Sequence, residues 1–172
     1  MQRTTPICAY LGLGSNLGDR EKNIHLAVER LKKSAGVRVL AVSSLLENPA
    51  VGGPPDSPAF FNAAAKIETT LGSHALLHQL LEIEKGLGRD RRVKWDPRLI
   101  DIDLLLYGDQ IVSSQELVVP HPLMHERAFV LRPLAEIGAD VVHPTLQMTI
   151  AGLLGNLNVP PKAGHVPRTP IK

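Results

Sequence analysis

The stretch at residues 95–107, W-D-P-R-L-I-D-I-D-L-L-L-Y, most constrains what this chain can fold into. Pro97 disfavours helical geometry in the residue before it. The nine residues that follow Pro97 are rich in β-compatible side chains and include neither glycine nor proline. The stretch therefore predicts a buried β-strand.

Two carboxylates share one face of this predicted strand. Alternate side chains of a strand point the same way, so Asp101 and Asp103 lie together, with Cα atoms roughly 6 to 7 Å apart. Acids this close repel each other and lose hydration unless a cation, a proton or hydrogen bonds compensate. Carboxylate oxygens suit Mg²⁺, so the pair is a candidate metal site; solvent-facing acids paired with arginines are the alternative. The residues predicted on the opposite face are apolar: Ile100, Ile102, Leu104 and Leu106.

The overall composition is that of a globular protein with no global charge signal. The 172 residues fit one domain, and a net charge of +2 gives no argument for nucleic acid or a membrane as partner. Cys8 is the single cysteine and cannot form an intramolecular disulfide, which is compatible with a reducing cytoplasm. No apolar run reaches the length of a membrane span, and the N-terminus does not predict a signal peptide. We therefore expect a cytoplasmic protein.

Hydrophobic periodicity predicts strands and helices in the order β-α-β-β-α-β, which is the pattern of a ferredoxin-like fold. We expect an α+β domain at residues 1–158, with a mainly antiparallel sheet, helices on one face and C-terminal additions. The other sheet face is then free to carry a site. Residues 159–172 contain four prolines and predict an extended or flexible tail. The predicted strands cover residues 7–13, 37–46, 60–70 and 98–106, with a short hairpin at 110–119. The predicted helices run from Asp19 to Gly36, from a cap at Ser73 to Gly88, and around 127–137 and 149–154.

Two glycine- or proline-rich segments flank the predicted strands. The pattern G-L-G-S-N-L-G at residues 12–18 is one residue longer than a dinucleotide fingerprint, so a tight strand-to-helix turn is the simpler interpretation. The connection at residues 48–59 contains four prolines and two glycines and cannot be regular structure. It is long for a plain connector, so a binding role for it is a hypothesis worth testing.

A basic loop leads directly into the acidic strand. A charged run is usually a solvated surface, but guanidinium groups beside a carboxylate pair suit a magnesium polyphosphate such as MgATP. Two carboxylates and two Mg²⁺ sum to about +2 against roughly −4 for ATP, which leaves the arginines to complete the neutralisation. The basic residues of the loop are Arg89, Arg91, Arg92, Lys94 and Arg98.

Several aromatic and histidine residues lie near these segments. His121 is a candidate phosphate or ribose contact, although an isolated histidine is more often a packing or surface residue. The phenylalanines are core residues by default, and an aromatic sandwich around a flat heterocycle, with Asn62 reading its edge, is the functional alternative. The aromatic candidates are Phe60, Phe61, Trp95 and Phe129.

In combination, five motifs resemble the 6-hydroxymethyl-7,8-dihydropterin pyrophosphokinase family. They are, in order, G-S-N-L-G, N-P-x-x-G, F-F-N-A, P-R-L-I-D-I-D-L and V-P-H-P-x-M-x-x-R-x-F, and they extend over residues 10–144. The resemblance implies a ferredoxin-like enzyme of folate biosynthesis that transfers pyrophosphate from ATP to a pterin alcohol. It also implies a protein whose ligands are ATP, two Mg²⁺ and the pterin, with no nucleic acid or membrane partner, and we expect a monomer.

The resemblance also implies a role for individual residues. Asp101 and Asp103 would bind the two Mg²⁺. The residues implied at the nucleotide are Arg89 and Arg98 on the phosphates, with Arg91, Arg92, Lys94, His121 and Arg127. The residues implied at the pterin are Phe60 and Phe129 on its faces, Asn62 on its edge and the backbone of Asn48, Pro49 and Val51, with Trp95 closing over the site.

The chain departs from the family pattern at two positions. Asp96 stands before Pro97 where members commonly have a small residue, so its negative charge is expected to weaken ATP binding or shift loop closure. Pro122 replaces an aromatic residue found in some members, which removes that ring from any contact with adenine. Neither departure touches the two aspartates.

Two other functions are compatible with parts of the sequence. A nicotinamide-dependent oxidoreductase would use the glycine pattern, whose spacing disfavours it. An RNA-binding ferredoxin-like module would use sheet aromatics and the basic loop. Such a module needs exposed aromatics in mid-strand, and the sequence instead offers aspartates on what we expect to be the central strand.

Overall fold

The computed structural model describes residues 4–49, 56, 58–88 and 99–158, to which every structural statement below refers. Its elements in chain order are β1 (Ile7–Ser15), α1 (Arg20–Lys32), β2 (Val37–Val42), β3 (Leu46–Asn48), β4 (Phe60–Thr69), α2 (Ser73–Gly86), β5 (Asp101–Tyr107), β6 (Val112–Ser113), β7 (Val118–Val119), a 3-10 turn (Met124–Glu126), α3 (Ala128–Gly138), β8 (Val142–His143), β9 (Met148–Thr149) and α4 (Ile150–Asn158).

The main sheet has the strand order β2-β4-β1-β5, with β3 also paired to β4, and every pairing is antiparallel. The connection through α1 crosses over β4, and the connection through α2 crosses over β1. This is the split βαβ arrangement, so the predicted ferredoxin-like fold is confirmed. The expectation of a central acidic strand is wrong, because β5 lies at the edge of the described sheet.

Helices α1 and α2 cover one face of the sheet. Apolar residues recur along each helix so that one stripe packs on the strands. Every second side chain of the strands packs against these helices. The fully buried residues of this first core include Leu11 and Ile67 from the strands and Leu31 and Leu80 from the helices. Asp19 caps the start of α1 as predicted, because its carboxylate accepts a hydrogen bond from the Lys22 nitrogen, 3.1 Å away.

The C-terminal helices α3 and α4 pack against part of the opposite face. Their core contains the alternate strand residues Tyr10 and Ala64, which meet Leu131 of α3 and Leu153 of α4. The sheet face opposite α1 and α2 is therefore uncovered only near the C-terminal end of β1, outside this second core. That remaining part of the sheet is where the predicted site residues lie.

A register irregularity in β5 changes which side chains reach this second core. Tyr10 pairs with Leu106 and Leu11 pairs with Leu104, so Leu105 has no partner on β1. Leu105 and Leu106 consequently both pack beneath α3 and α4. The prediction that Leu106 points with Ile102 and Leu104 is therefore wrong, because strand alternation breaks at Leu105.

The predicted strand at 37–46 is two strands, because the Ser44 nitrogen between them bonds to α3 and does not continue the ladder. Ser43 Oγ accepts a hydrogen bond from the Ala64 nitrogen at 2.8 Å. Ser44 donates its nitrogen and its hydroxyl to the Glu136 carboxylate of α3, at 2.8 and 2.6 Å. These bonds divide β2 from β3 and connect α3 to the start of β3.

Two further local predictions need correction. Gly72 rather than Ser73 precedes α2, whose first turn has no side-chain cap. The glycine pattern at 12–18 is not a turn throughout, because β1 extends to Ser15 and includes Gly12 and Gly14. Only Gly18, with φ of +67°, adopts left-handed backbone geometry within that pattern. The predicted hairpin and the two later helices are present.

Candidate functional site

Gly14 leaves the backbone of β1 bare on the uncovered part of the sheet. In the antiparallel register Gly14 pairs with Asn62 of β4 and with Asp101 of β5. Directly paired residues share a sheet face, so the amide and the carboxylate lie level on either side of the glycine. A Cβ added at Gly14 would lie 3.1 Å from Asn62 Nδ2 and 3.5 Å from Phe60 Cδ1. The glycine therefore marks a point where other groups approach the backbone closely.

The two aspartates of β5 share this face. Asp103 pairs with Gly12 as Asp101 pairs with Gly14, and both acids are partly exposed. Ile102 lies between them and points into the first core. The carboxylates thus face the open part of the sheet while the strand that carries them is anchored from its other side.

A buried glutamate holds β5 between the aspartates. Glu84 of α2 is 1% exposed, and its Oε1 accepts a hydrogen bond from the Ile102 nitrogen at 2.8 Å. This nitrogen belongs to an edge strand, so the carboxylate takes the place of a neighbouring strand's carbonyl. Glu84 therefore fixes the backbone of the segment that carries both acids.

The donor set fits Mg²⁺ better than a metal that needs a complete protein cage. Among the described residues no group of three or more histidine, cysteine, aspartate or glutamate side chains is placed to hold a metal. Mg²⁺ in nucleotide-using enzymes is typically bound by one or two carboxylates and completed by phosphate oxygens and water. Asp101 and Asp103 provide that arrangement, because both carboxylates are partly exposed on one sheet face and each is paired with a glycine of β1.

His121 lies against the aspartate strand. Its backbone nitrogen donates a hydrogen bond to the Leu105 oxygen at 3.0 Å, so the segment after β7 docks on the irregular point of β5. Burial and, secondly, the charge of Arg127 lower the pKa of His121 to about 4, while Asp101 acts in the opposite direction. His121 Nδ1 accepts a hydrogen bond from the Leu123 nitrogen at 3.2 Å. The neutral ring therefore has its proton on Nε2 and can donate from that atom.

Arg127 and Phe129 enter the same region from the start of α3. The Arg127 guanidinium carbon lies 5.8 Å from the centre of the Phe129 ring. Arg127 Nε is buried and has no hydrogen-bond partner among the residues that the structure describes. A buried guanidinium donor that lacks a protein acceptor is suited to an anionic ligand.

The residues predicted at the pterin meet at the end of the β3–β4 ladder. Asn48 pairs with Phe60, and Leu46 pairs with Asn62. Asn62 Oδ1 is buried and, within the described ranges, accepts no hydrogen bond. An acceptor of this kind beside an aromatic ring fits the amino and ring N–H groups of a flat heterocycle. Pro49 follows Asn48 and is exposed.

The structure thus brings three groups of predicted site residues to one region: Asn48, Phe60 and Asn62 from β3 and β4, Asp101 and Asp103 from β5, and His121, Arg127 and Phe129 from the later segment. Seven other predicted site residues lie outside the described residues, so their roles stay predictions: Val51, Arg89, Arg91, Arg92, Lys94, Trp95 and Arg98.

Gly14 and Glu84 are the residues whose importance the sequence analysis missed. The signal for Glu84 is present, because it follows Leu80 by four positions and so falls on the apolar stripe of α2. An acid in that stripe indicates a buried partner. For Gly14, a glycine that interrupts an otherwise apolar strand signals close approach by another group.

The sequence from residue 10 to residue 139 matches the family model described as 7,8-dihydro-6-hydroxymethylpterin-pyrophosphokinase (HPPK). The chain belongs to this family. HPPK membership confirms the resemblance inferred from the motifs and supports a pyrophosphokinase of folate biosynthesis. Membership of this family does not support the RNA-binding alternative.

Bacterial relatives share most of their length with this chain. It is 50% identical over 134 residues to the 2-amino-4-hydroxy-6-hydroxymethyldihydropteridine pyrophosphokinase of Methylorubrum extorquens, covering 78% of this chain and 84% of the relative. The Bacillus subtilis enzyme of the same name is 47% identical, with 77% and 79% covered. The folic acid synthesis protein fol1 of Pneumocystis carinii is 44% identical over 142 residues; the match covers 83% of this chain but only 19% of that longer protein.

Solved structures share the fold at low sequence identity. The structure of Plasmodium falciparum HPPK-DHPS wild type with pteroate aligns with a TM-score of 0.68 at 16% identity and covers 91% of this chain. This chain spans 43% of that longer protein.

Within the described ranges of this chain, no helix has both the length and the apolar composition that crossing a membrane requires.

Proposed function

We propose that this HPPK transfers pyrophosphate from ATP to the hydroxymethyl group of 6-hydroxymethyl-7,8-dihydropterin and releases AMP. The observation that carries the proposal is the cross-strand pairing of Gly14 with Asn62 on one side and with Asp101 on the other. It sets a buried acceptor for a heterocycle beside a carboxylate pair suited to a magnesium polyphosphate, with no side chain between them. A pterin on one side and ATP on the other would meet above the glycine.

Asp101 and Asp103 are the residues that would hold the two Mg²⁺. When bound, these ions offset negative charge on the phosphates that would otherwise repel an attacking oxygen. The carboxylates are kept in position by β5, which Glu84 anchors through Ile102. Their contribution is therefore rigid placement of negative charge at the edge of the sheet.

His121 and Arg127 would contact the nucleotide phosphates. A neutral imidazole with its proton on Nε2 donates one hydrogen bond without adding a full charge. Arg127 adds a permanent charge, and its buried Nε–H would donate a hydrogen bond to a ligand oxygen. The basic residues proposed for the remaining phosphate oxygens are Arg89, Arg91, Arg92, Lys94 and Arg98.

The pterin would lie on the open sheet face with Asn62 at its polar edge. Phe60 and Phe129 would contact its two faces, and the backbone at Asn48 to Val51 would complete its hydrogen bonds. Trp95 would close over the bound substrates. Excluding water matters here because hydrolysis of ATP is the wasteful competing reaction.

In the reaction the hydroxymethyl oxygen attacks the β-phosphorus of ATP in line. A bond forms between that oxygen and the β-phosphorus, the bond from the β-phosphorus to the α,β-bridging oxygen breaks, and AMP leaves. The hydroxyl proton passes to a phosphate oxygen of the departing AMP and reaches solvent when the products leave. We assign no general base, so orientation of the two substrates and neutralisation of phosphate charge supply most of the acceleration. We further propose that the protein acts as a cytoplasmic monomer.

An assay of nucleotide products tests the proposal. The protein, MgATP and the pterin alcohol should yield AMP and the pterin diphosphate, and ADP as the product would refute pyrophosphoryl transfer. Asp101→Asn should lower kcat by at least about a hundredfold, because it removes charge at the metal. Asp109→Asn is the matched control, since Asp109 is an exposed acid in the turn after β5. Equal activity of the two variants would contradict the metal role.

A further inference from the structure

Arg20, the first residue of α1, contacts three residues at the end of the β3–β4 ladder. Its Nη1 donates a hydrogen bond to the Ala59 oxygen at 2.7 Å. The same nitrogen lies 3.4 Å from Glu47 Oε1. Its guanidinium carbon lies 4.1 Å from the centre of the Phe61 ring, within cation–π distance. The Arg20 side chain is 26% exposed and that of Glu47 is 60% exposed, so the ion pair with Glu47 is open to water and the contacts with Ala59 and Phe61 matter more.

These three partners stand where the chain leaves the sheet after β3 and returns at β4. Glu47 pairs with Phe61, and Asn48 pairs with Phe60, so they form the last rungs of the ladder. Ala59 immediately precedes β4. Arg20 therefore connects the departing strand and the returning strand at one point.

The contacts lie on the opposite sheet face from the predicted pterin residues. Phe61 packs against the first core, beneath α1. Its neighbours Phe60 and Asn62 point to the open face because side chains alternate along a strand. A group that fixes Ala59 and Phe61 from below thereby fixes the backbone that carries Phe60 and Asn62 above.

We propose that Arg20 is a positioning residue for the pterin: by clamping the start of β4, it presents Phe60 and Asn62 to the substrate. This inference rests on the function proposed above. It assigns Arg20 no contact with either substrate, and it predicts an effect on pterin binding without an equal effect on ATP binding.

The geometry calls for arginine rather than any cation. A planar guanidinium can lie over a ring and donate in its own plane at the same time, whereas a lysine ammonium is a point charge without that plane. Arg20→Lys therefore keeps the charge near Glu47 but loses the combined stacking and hydrogen bonding. Arg20→Gln loses the charge as well.

Calorimetry with a non-hydrolysable ATP analogue, Mg²⁺ and then the pterin alcohol measures the two affinities separately. We expect Arg20→Gln to raise the pterin Kd and KM about tenfold and Arg20→Lys about threefold. The Kd of the ATP analogue and kcat at saturating pterin should stay within about twofold of the wild-type values. Arg30→Lys is the matched control, an exposed arginine in the last turn of the same helix.

Phe61→Leu provides an independent variant, because it removes the stacking partner and leaves Arg20 and its hydrogen bonds in place. It should raise the pterin Kd in the same selective way. An unchanged pterin Kd in the Arg20 variants would overturn the proposal. Equal losses of ATP-analogue and pterin affinity would do so too, since they would indicate a general structural role.

The wild-type protein separates this inference from the function on which it rests. If the wild-type chain forms no AMP with the pterin alcohol, the proposed function fails. If it forms AMP and the Arg20 variants bind pterin normally, only the role of Arg20 fails.

Discussion

The Glu84 carboxylate and the Ile102 backbone nitrogen, 2.8 Å apart, form a buried hydrogen bond at the residue that separates Asp101 from Asp103. A helix thus holds the edge strand at the level of the predicted metal ligands. A buried donor that loses its acceptor retains its full desolvation cost.

Glu84→Ala should therefore lower the free energy of unfolding by about 2 to 3 kcal/mol, because it leaves the Ile102 nitrogen without an acceptor. Denaturant unfolding followed by circular dichroism measures the change. Glu82→Ala, an exposed acid two positions earlier on the same helix, should change stability by less than about 0.5 kcal/mol. Similar losses in the two variants would show that Ile102 does not depend on this hydrogen bond.

Gly14→Ala should damage pterin binding more than stability. The new Cβ would stand 3.1 Å from Asn62 Nδ2, so the Asn62 side chain must move by a few tenths of an ångström, and it would also be in van der Waals contact with Phe60 Cδ1 at 3.5 Å. We expect the pterin Kd to rise about tenfold, a change of about 1.4 kcal/mol, while the unfolding midpoint changes little. Gly155→Ala in α4, where an added Cβ meets no atom within 4 Å, is the control. Normal pterin affinity in Gly14→Ala would argue against binding over the glycine.

The His121 ring should titrate with a pKa of about 4 in the metal-free protein, as followed by NMR of its imidazole nitrogens. Arg127→Gln should raise this pKa and Asp101→Asn should lower it, because the charges that they remove act in those directions. The folded-state pKa lies below the unfolded value near 6.5, so the unfolded chain takes up the proton first. Stability associated with His121 is therefore present above about pH 6.5 and is lost as the pH falls toward 4. A pKa near 6.5 in the folded protein would contradict the burial of the ring.

Ser44→Ala should raise the pKa of Glu136. The Ser44 hydroxyl and then the Ser44 backbone N–H hold the pKa of that carboxyl below its ordinary value. The stabilising contribution of this contact is present above the unfolded pKa and is lost as the pH falls through the folded pKa. A carboxyl-carbon NMR titration of the wild-type and Ser44→Ala proteins measures the shift. Ser114→Ala, which removes a serine from the distant β6–β7 hairpin, should leave the Glu136 titration unchanged.

The sequence predicts the fold well because its periodic elements are long and their order is diagnostic. The acidic strand, the amphipathic helices and the split βαβ order all follow from side-chain alternation and helical spacing. The position of β5 at the edge does not follow from β5 itself, because its near-continuous apolar run is typical of a buried central strand. This edge strand is nevertheless covered by other parts of the chain. Glu84 of α2 bonds to the Ile102 nitrogen, and the segment that contains His121 docks on Leu105.

The candidate site is predictable in composition but not in geometry. Motifs identify Asp101, Asp103 and Asn62, yet nothing in their spacing states that Gly14 joins them in one row. That relationship depends on register between three strands far apart in the chain, which local sequence does not encode. The division of β2 from β3 is similarly remote in origin, because Ser44 bonds to Glu136, 92 positions later.

The irregularity at Leu105 separates β5 into two segments that can vary independently. Before it, alternation places two acids on the open face; after it, the phase changes and Tyr107 returns to the first core. Substitutions that repack Leu105 and Leu106 under α3 and α4 can therefore accumulate without turning the aspartates. If the strand lost this irregularity without a change in length, Leu106 would turn to the first core and Tyr107 to the second, while Asp101 and Asp103 would stay on the open face.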